Sequence, residues 1–286
     1  MQPPNQVPNQ MPPQTPQTPH PGIYTPVLFQ QIPGFACAFT NRRGGESQGA
    51  FQSLNLKFPV TPQDELNGET KVWNNRQSVC SHLGLSTERL VACQQVHGKG
   101  VYTVHEQDAG RGAQTHEGGI PETDGLLTTA LNLPLLIMVA DCYPVVLVDP
   151  VQRVVSAVHS GWRGTQQGIV LEALEIMVKE HHSNPSDIRC AIGTGVDFNS
   201  FEVGAEVVDA FGGQIDLSHP DRVQAVGQKF RLNLPGILHD QLCSAGVIAE
   251  HIEVIGGDTL SNEDYFSYRR QQGTTGRQGV IVGWTA

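Results

Sequence analysis

The sequence predicts a mixed α/β chain, and three observations carry the prediction. Short β-branched runs bounded by Pro and Gly, clearest at Leu135–Val139, Val145–Val148 and Val154–Val158, read as strands buried on both faces, because nothing along them alternates toward water. Segments of helical period alternate with such runs on both sides of this centre. A content of 38% hydrophobic and 16% charged residues over 286 positions is that of a globular chain able to bury a substantial core.

The remaining composition narrows the classes. A net charge of −10 leaves no extended basic surface for nucleic acid or an anionic membrane, so any anion must be caught locally. The six cysteines, at 37, 80, 93, 142, 190 and 243, form no Cys-x-x-Cys pair and no dense framework. A chain of this length needs no disulfide staples, which points to free thiols and a reducing, cytoplasmic setting. No stretch reaches the roughly eighteen consecutive apolar residues of a membrane span.

Taken in order, the first thirty residues hold nine prolines and no charged side chain, and the first charge in the chain is Arg42. A secretory signal needs a basic start and an apolar middle, so residues 1–30 are expected to be a disordered, partly polyproline tail before a folded region at 31–286. Val27–Phe29 and Phe35–Phe39 are expected as strands around a Pro33-Gly34 turn. In Arg42-Arg43-Gly44-Gly45, glycine backbone beside arginine either wraps an anion or makes a plain surface turn. A short strand or bend follows at Phe51–Leu56, then a polar loop through Asn67-Gly68. Val72, Trp73, Val79, Cys80 and Leu83 give one apolar face to a helix from about Thr70 to Leu83, with Gly84 as its stop and His82 as a dipole partner at its end.

Strands are expected at Leu90–Cys93 and Val101–Val104, then a polar loop over 105–122 in which His105 and His116 are loop residues rather than ligands. A turn and strand follow at Thr123–Thr129. Beyond the central strands come a helix at Thr165–His182, a strand at Ile188–Ile192, a helix at Ser200–Phe211 capped by Ser200, a helix at Leu234–Cys243, and strands at Ile252–Ile255 and Gly279–Trp284. Arg269, Arg270 and Arg277, just before the last strand, either line an anionic pocket or are surface charges.

Cys142 and His159 fall at ends of the central strands, where a buried sheet hands polar groups to a cleft. A thiolate and an imidazole placed there invite a third ligand, and His97 in Gln95-Val96-His97-Gly98 is the upstream donor. Two His and one Cys suit zinc with an open position, with copper as the other metal. Asp124, beside Gly125, either makes an Asx turn or orients a histidine. Asp141 is either a proton carrier or a cap on the strand end. The run Ser160–Thr165 sets Arg163 and free amides at a helix start, a ready phosphate site, while Trp162 either stacks on a base or packs in the core. A multicopper oxidase would need many paired histidines, and the chain has no His-x-His. A hydrolase with Cys142 as nucleophile and His159 as base is the competing chemistry, and a non-enzymatic metal-binding scaffold is the third class.

Val96-His97-Gly98, Thr123-Asp124-Gly125, Ala140-Asp141-Cys142 with Pro144, His159-Ser160-Gly161-Trp162-Arg163-Gly164, Ser53-Leu54-Asn55-Leu56, and Phe266–Arg270 with Thr275-Gly276-Arg277 span the chain from about Phe35 onward. Together they resemble the YfiH family of purine nucleoside phosphorylases, also called the laccase-domain or polyphenol oxidase family. The resemblance implies a single-domain layered α/β sandwich with two packed β-sheets and flanking helices. It places the metal on His97, Cys142 and His159. Cys142 and Asp141 then stand as the catalytic candidates, and Arg42, Asn55 and Arg163 as those for substrate or phosphate. It further implies cleavage of adenosine, inosine, guanosine or methylthioadenosine by phosphate, to free base and (methylthio)ribose 1-phosphate, with some adenosine deamination. The partners would be a small nucleoside and phosphate, with neither nucleic acid nor membrane. Family members have also been linked to amide cleavage in editing cell-wall precursors. The chain departs from the family pattern in lacking a proline and cysteine in the loop at Gly193–Val196 and a cysteine near Asp258.

Overall fold

Runs that are apolar at every position need cover on both faces, and the fold supplies it by stacking. The structure, a computed structural model, describes residues 20–59, 68–213 and 219–285. One sheet has five strands in the order β1 (Ile23–Tyr24), β2 (Phe35–Thr40), β14 (Gln278–Trp284), β6 (Leu135–Val139) and β3 (Val91–Ala92). A second has six, in the order β13 (Ile252–Val254), β9 (Arg189–Ile192), β7 (Tyr143–Asp149), β8 (Val154–Ser160), β5 (Gly125–Thr128) and β4 (Val101–Thr103). The mixed α/β class is as the sequence predicts, and the two packed sheets are as the family resemblance implies. A small third sheet, β10 (Glu202–Val203), β12 (Lys229–Leu232) and β11 (Val223–Val226), is additional.

Alternation is present in the central strands but hidden by uniform burial. Val146 and Val148 of β7 join Ile137, Leu135, Val280 and Val282 in the core between the two large sheets. Their neighbours Val145 and Leu147 face the opposite way, onto α4 (Ile169–His181) and α6 (Leu234–Ser244) through Ile169, Ala173, Leu238 and Leu242. The outer face of the five-stranded sheet, with Ala38, Leu136 and Ile281, is covered by Val79 and Cys80 of α2 (Glu69–Leu83). Gly84 ends α2 in the left-handed conformation (φ 68°), its N–H bonded to the carbonyls of Cys80 and Ser81.

Several local expectations are corrected. Val27–Phe29 lies in a one-turn helix, α1 (Val27–Gln30), because Pro26 with φ −54° starts a helical turn and its carbonyl accepts from the amides of Phe29 and Gln30. Ile23 pairs with Thr40 and Phe29 is buried, so residues assigned to the tail take part in the fold; residues 1–19 lie outside the described ones. Most of the polar loop before Gly68 lies outside them as well. The helix expected at 165–182 is two helices, α3 (Trp162–Gln167) and α4, separated at Gly168, which has φ 78°. Ser200 does not cap a helix: β10 intervenes, α5 (Ala205–Ala210) starts after Gly204, and the Ser200 hydroxyl donates to Asp258.

Candidate active site

The register of β7 against β8 brings two site residues together. Tyr143 pairs with Ser160 and Pro144 with His159, so Cys142, one residue before β7, sits beside the C-terminal end of β8. β5 is the other neighbour of β8, with Gly125 opposite Val158, which sets Asp124 next to His159. His97, in the loop between β3 and β4, is held by the same carboxylate. Asp124 Oδ1 accepts from the His97 amide at 2.9 Å and Oδ2 from the amides of Val96 and Gly98 at 3.1 and 2.7 Å. Asp124 is therefore both an Asx-type loop clamp and a histidine partner, since its Oδ1 also lies 2.7 Å from His159 Nδ1.

With Nδ1 committed to Asp124, the Nε2 edge of His159 is the one left for the cleft. The ligand atoms of His97, Cys142 and His159 lie within 4.8 Å of one another, and the two imidazoles meet edge to face at 4.8 Å between centroids. Among the described residues this is the one cluster of three or more such groups. His97 is exposed, Cys142 half-buried and His159 buried, so the set is open on one side. His97 (φ 63°) and Asp141 (φ 82°) both occupy the left-handed region that side chains avoid. A Cβ on Gly161 would come within 2.9 Å of Cys142 Sγ, so this position admits little beyond hydrogen.

The electrostatics fit a metal-binding thiolate. Burial pushes the Cys142 thiol up, but His159 and then His97 outweigh it and bring it down to about 6. Burial acts to lower the His159 pKa, yet the Cys142 sulfur and the Asp124 carboxylate raise it to about 9. Burial likewise raises Asp124, and the His159 and Gly98 donors more than reverse this, leaving it below the usual carboxylate range. Two imidazoles and one ionisable thiol, converging and oriented from behind by a carboxylate, can hold a metal ion.

The cluster lies in a cleft of about 660 Å³. Trp162, Phe201 and Leu234 give it an apolar wall, while Lys57, Arg269 and Arg277 contribute cations. His116 and Glu117 also line it, so His116 belongs to the cleft although not to the metal cluster. Their loop follows Gly112 and Ala113, whose carbonyls accept from the buried guanidinium of Arg76.

Three sequence candidates stand elsewhere. Arg42 is in a separate cleft with Arg43, Asp264 and Arg270, its Nε donating to the Gln52 carbonyl at 2.5 Å and its guanidinium over Phe266. Arg163 is exposed and stacks on the Trp162 ring at 4.3 Å, outside the lining. Asn55 is buried and accepts from the amides of Lys57 at 3.1 Å and Arg277 at 2.7 Å, so it braces two cations of the cleft from behind. Of the three late arginines, Arg269 and Arg277 line the cleft, whereas Arg270 donates to the carbonyls of Thr259, Leu260, Asn262 and Tyr265. Lys57 and Glu117 carried no sequence signal, because single charges in polar loops have no period.

Fold and site together define a mixed α/β protein with one Cys-His-His centre in a cleft at the ends of its central strands. The chain belongs to the family described as multi-copper polyphenol oxidoreductase laccase, whose model matches residues 36–285. It is 36% identical over 259 residues to the purine nucleoside phosphorylase YlmD of Geobacillus stearothermophilus, covering 88% of this chain and 92% of that one. The purine nucleoside phosphorylase of Deinococcus radiodurans is 32% identical over 251 residues, covering 86% and 88%. Among solved structures, YlmD from Geobacillus stearothermophilus superposes with a TM-score of 0.86 at 33% identity over 94% of this chain and 98% of that one. The Bacillus licheniformis hypothetical protein YfiH gives 0.84 at 31% over 93% and 97%. No helix among the described residues is long and apolar enough to cross a membrane.

Proposed function

We propose that this protein is a zinc-dependent purine nucleoside phosphorylase. The observation that carries the reading is one cleft that joins the His97, Cys142 and His159 cluster to three cations and an apolar wall. In phosphorolysis the bond from ribose C1′ to the base nitrogen breaks as positive charge grows on the sugar, so phosphate must be held on one side of C1′ and the base on the other. Lys57, Arg269 and Arg277 are the groups to hold phosphate, in place of Arg42 and Arg163. Trp162, Phe201 and Leu234 offer the base an apolar surface on which to stack. Zinc held by the three ligands would supply Lewis-acid polarisation, and copper is the competing metal for the same donors. The relatives named purine nucleoside phosphorylase support the reading. Adenosine, inosine, guanosine and methylthioadenosine are the proposed substrates, with adenosine deamination, in which water adds at C6 of the base and ammonia leaves, as a second reaction. All six cysteines are free thiols, which suits the cytoplasm as the proposed location.

The test is to incubate the metal-loaded protein with adenosine and inosine, with and without phosphate, and identify the products by mass. Free base and ribose 1-phosphate are expected only with phosphate and not from Cys142→Ala. Base formed equally without phosphate, or no turnover of either nucleoside, would overturn the reading.

A second reading rests on Cys142 itself. A thiol held toward its anion by His159, with Asp124 behind the imidazole, is also the arrangement of a cysteine nucleophile, a base and an orienting carboxylate. Amide cleavage by a cysteine nucleophile requires a metal-free sulfur, so stoichiometric zinc that disappears in His97→Ala decides against that mechanism.

A further inference from the structure

Asp141 has the connections of a loop anchor. Its Oδ1 accepts from the Thr259 hydroxyl at 2.7 Å and its Oδ2 from the Arg269 amide at 2.8 Å. Its own carbonyl accepts from the Val196 amide at 2.9 Å, and the adjoining Gly195 carbonyl accepts from the Thr259 amide at 2.9 Å. One residue thus ties three separate loops, around 195, 259 and 269, to the strand end that carries Cys142. Thr259 is fully buried, so the hydroxyl that meets Oδ1 is screened from water. The φ of 82° at Asp141 is unfavourable for a side chain, and these hydrogen bonds hold the residue in it. Tyr268 and Arg269, on the third loop, are exposed and line the cleft, with the Arg269 guanidinium over the Phe201 ring.

We propose that Asp141 is a positioning residue that latches the Arg269 backbone over the cleft, fixing an anion-binding arginine relative to the metal ligands. It does so as an acceptor of two hydrogen bonds, not as a carrier of protons. The kinetic part of its test rests on the phosphorylase reading, whereas the exchange part does not.

The experiment compares the metal-loaded full chain with Asp141→Gly, Asp141→Asn and Thr259→Val. Glycine tolerates φ 82° and removes only the acceptor, asparagine keeps the shape but can accept from only one donor, and valine deletes the hydroxyl without touching Asp141. Residue-resolved amide exchange by NMR is expected to show Arg269 protection falling about tenfold in Asp141→Gly, as loss of one hydrogen bond to a charged acceptor predicts, and less in Asp141→Asn, which keeps one neutral acceptor, and in Thr259→Val. Unchanged protection in Asp141→Gly and Asp141→Asn would overturn the latch, whether or not the protein cleaves nucleosides. In turnover, KM for phosphate is expected to rise about tenfold in Asp141→Gly with kcat within about threefold of wild type, and to rise less in Thr259→Val. A kcat loss of about a hundredfold at unchanged KM would instead make Asp141 a proton carrier. Wild type inactive on nucleosides would sink the functional reading alone, and the exchange result would still decide the latch.

Discussion

Asp124 Oδ1 lies 2.7 Å from His159 Nδ1, and the same oxygen accepts the His97 amide at 2.9 Å, so one buried carboxylate fixes both histidines of the cluster. The contact to His159 sets the ring's tautomer and points its other nitrogen at Cys142. The contacts to the 96–98 loop hold His97 at an unfavourable φ of 63°. Asp124→Asn keeps the size but turns one acceptor into a donor facing amide hydrogens. Zinc affinity, measured by competition with a chelator of known strength, is expected to fall about 10- to 100-fold. Unchanged affinity would mean that neither histidine depends on this carboxylate for its orientation.

With no metal bound, Cys142 should be a reactive thiol. In the stripped protein the histidines bring Cys142 down to about 6, so it is mostly thiolate at neutral pH. Burial holds Cys37, Cys93 and Cys190 well above the usual thiol range, and Cys243 is raised as well. Carboxymethylation by iodoacetate, followed by peptide mass, is expected to label Cys142 first, with a rate that climbs through about pH 6 and is suppressed when zinc is restored. Labelling that began only near the ordinary thiol range would show that the imidazoles do not govern this sulfur.

How much of this was legible in the sequence depended on whether a residue acts through its neighbours in the chain or across the fold. The central strands announced themselves because both faces are buried, and the ends of those strands located Cys142 and His159. His97 could be joined to them because Gly98 marks a break in an otherwise ordered stretch. The residues around Asp124 are compatible with either of two roles, and only the pairing of β5 with β8 shows that it fills both. Arg42 and Arg163 looked like phosphate groups because glycine and a helix start were adjacent in sequence, yet the side chains stack on Phe266 and Trp162. The cations that do line the cleft, Lys57, Arg269 and Arg277, come from loops far apart in the chain, and no local pattern relates them. The helix drawn from Ser200 failed for a similar reason: its cap was already committed to Asp258, 58 residues away.

Gly161 sits opposite Cys142, and its lack of a side chain is a condition of the site. A Cβ there would lie 2.9 Å from Sγ and 3.6 Å from His97 Cδ2. Its φ of −83° is open to any residue, so Gly161→Ala tests space alone and not backbone strain. The variant is expected to fold with unfolding stability within about 1 to 2 kcal/mol of wild type, while losing zinc affinity by at least about tenfold as the sulfur is displaced. Equilibrium unfolding of the metal-free protein and zinc competition separate the two effects. Full zinc affinity in this variant would show that the sulfur has room to move and still coordinate.

Asp258 ties the loop before Phe201 to the loop holding Thr259. Its carboxylate accepts from the hydroxyls of Ser200 and Ser261, each at 2.6 Å, and from the amides of Asp197, Leu260 and Ser261. Burial acts to raise its pKa, but these donors outweigh it and hold it down to about 2, against 3.8 for the ordinary group. A carboxylate whose folded-state pKa is depressed stabilises the fold fully above its unfolded value and loses that contribution as pH falls through the folded value. The stabilising window therefore closes between about pH 4 and pH 2, as the unfolded chain takes up the proton first. Asp258→Asn, which carries no titrating group, is expected to be less stable than wild type by about 1 kcal/mol at pH 6, a figure kept small because the site is partly solvated. That difference should shrink steadily in urea unfolding series taken from pH 5 to pH 3. A gap that stayed constant over this range would assign the loss to geometry and remove the charge from the account.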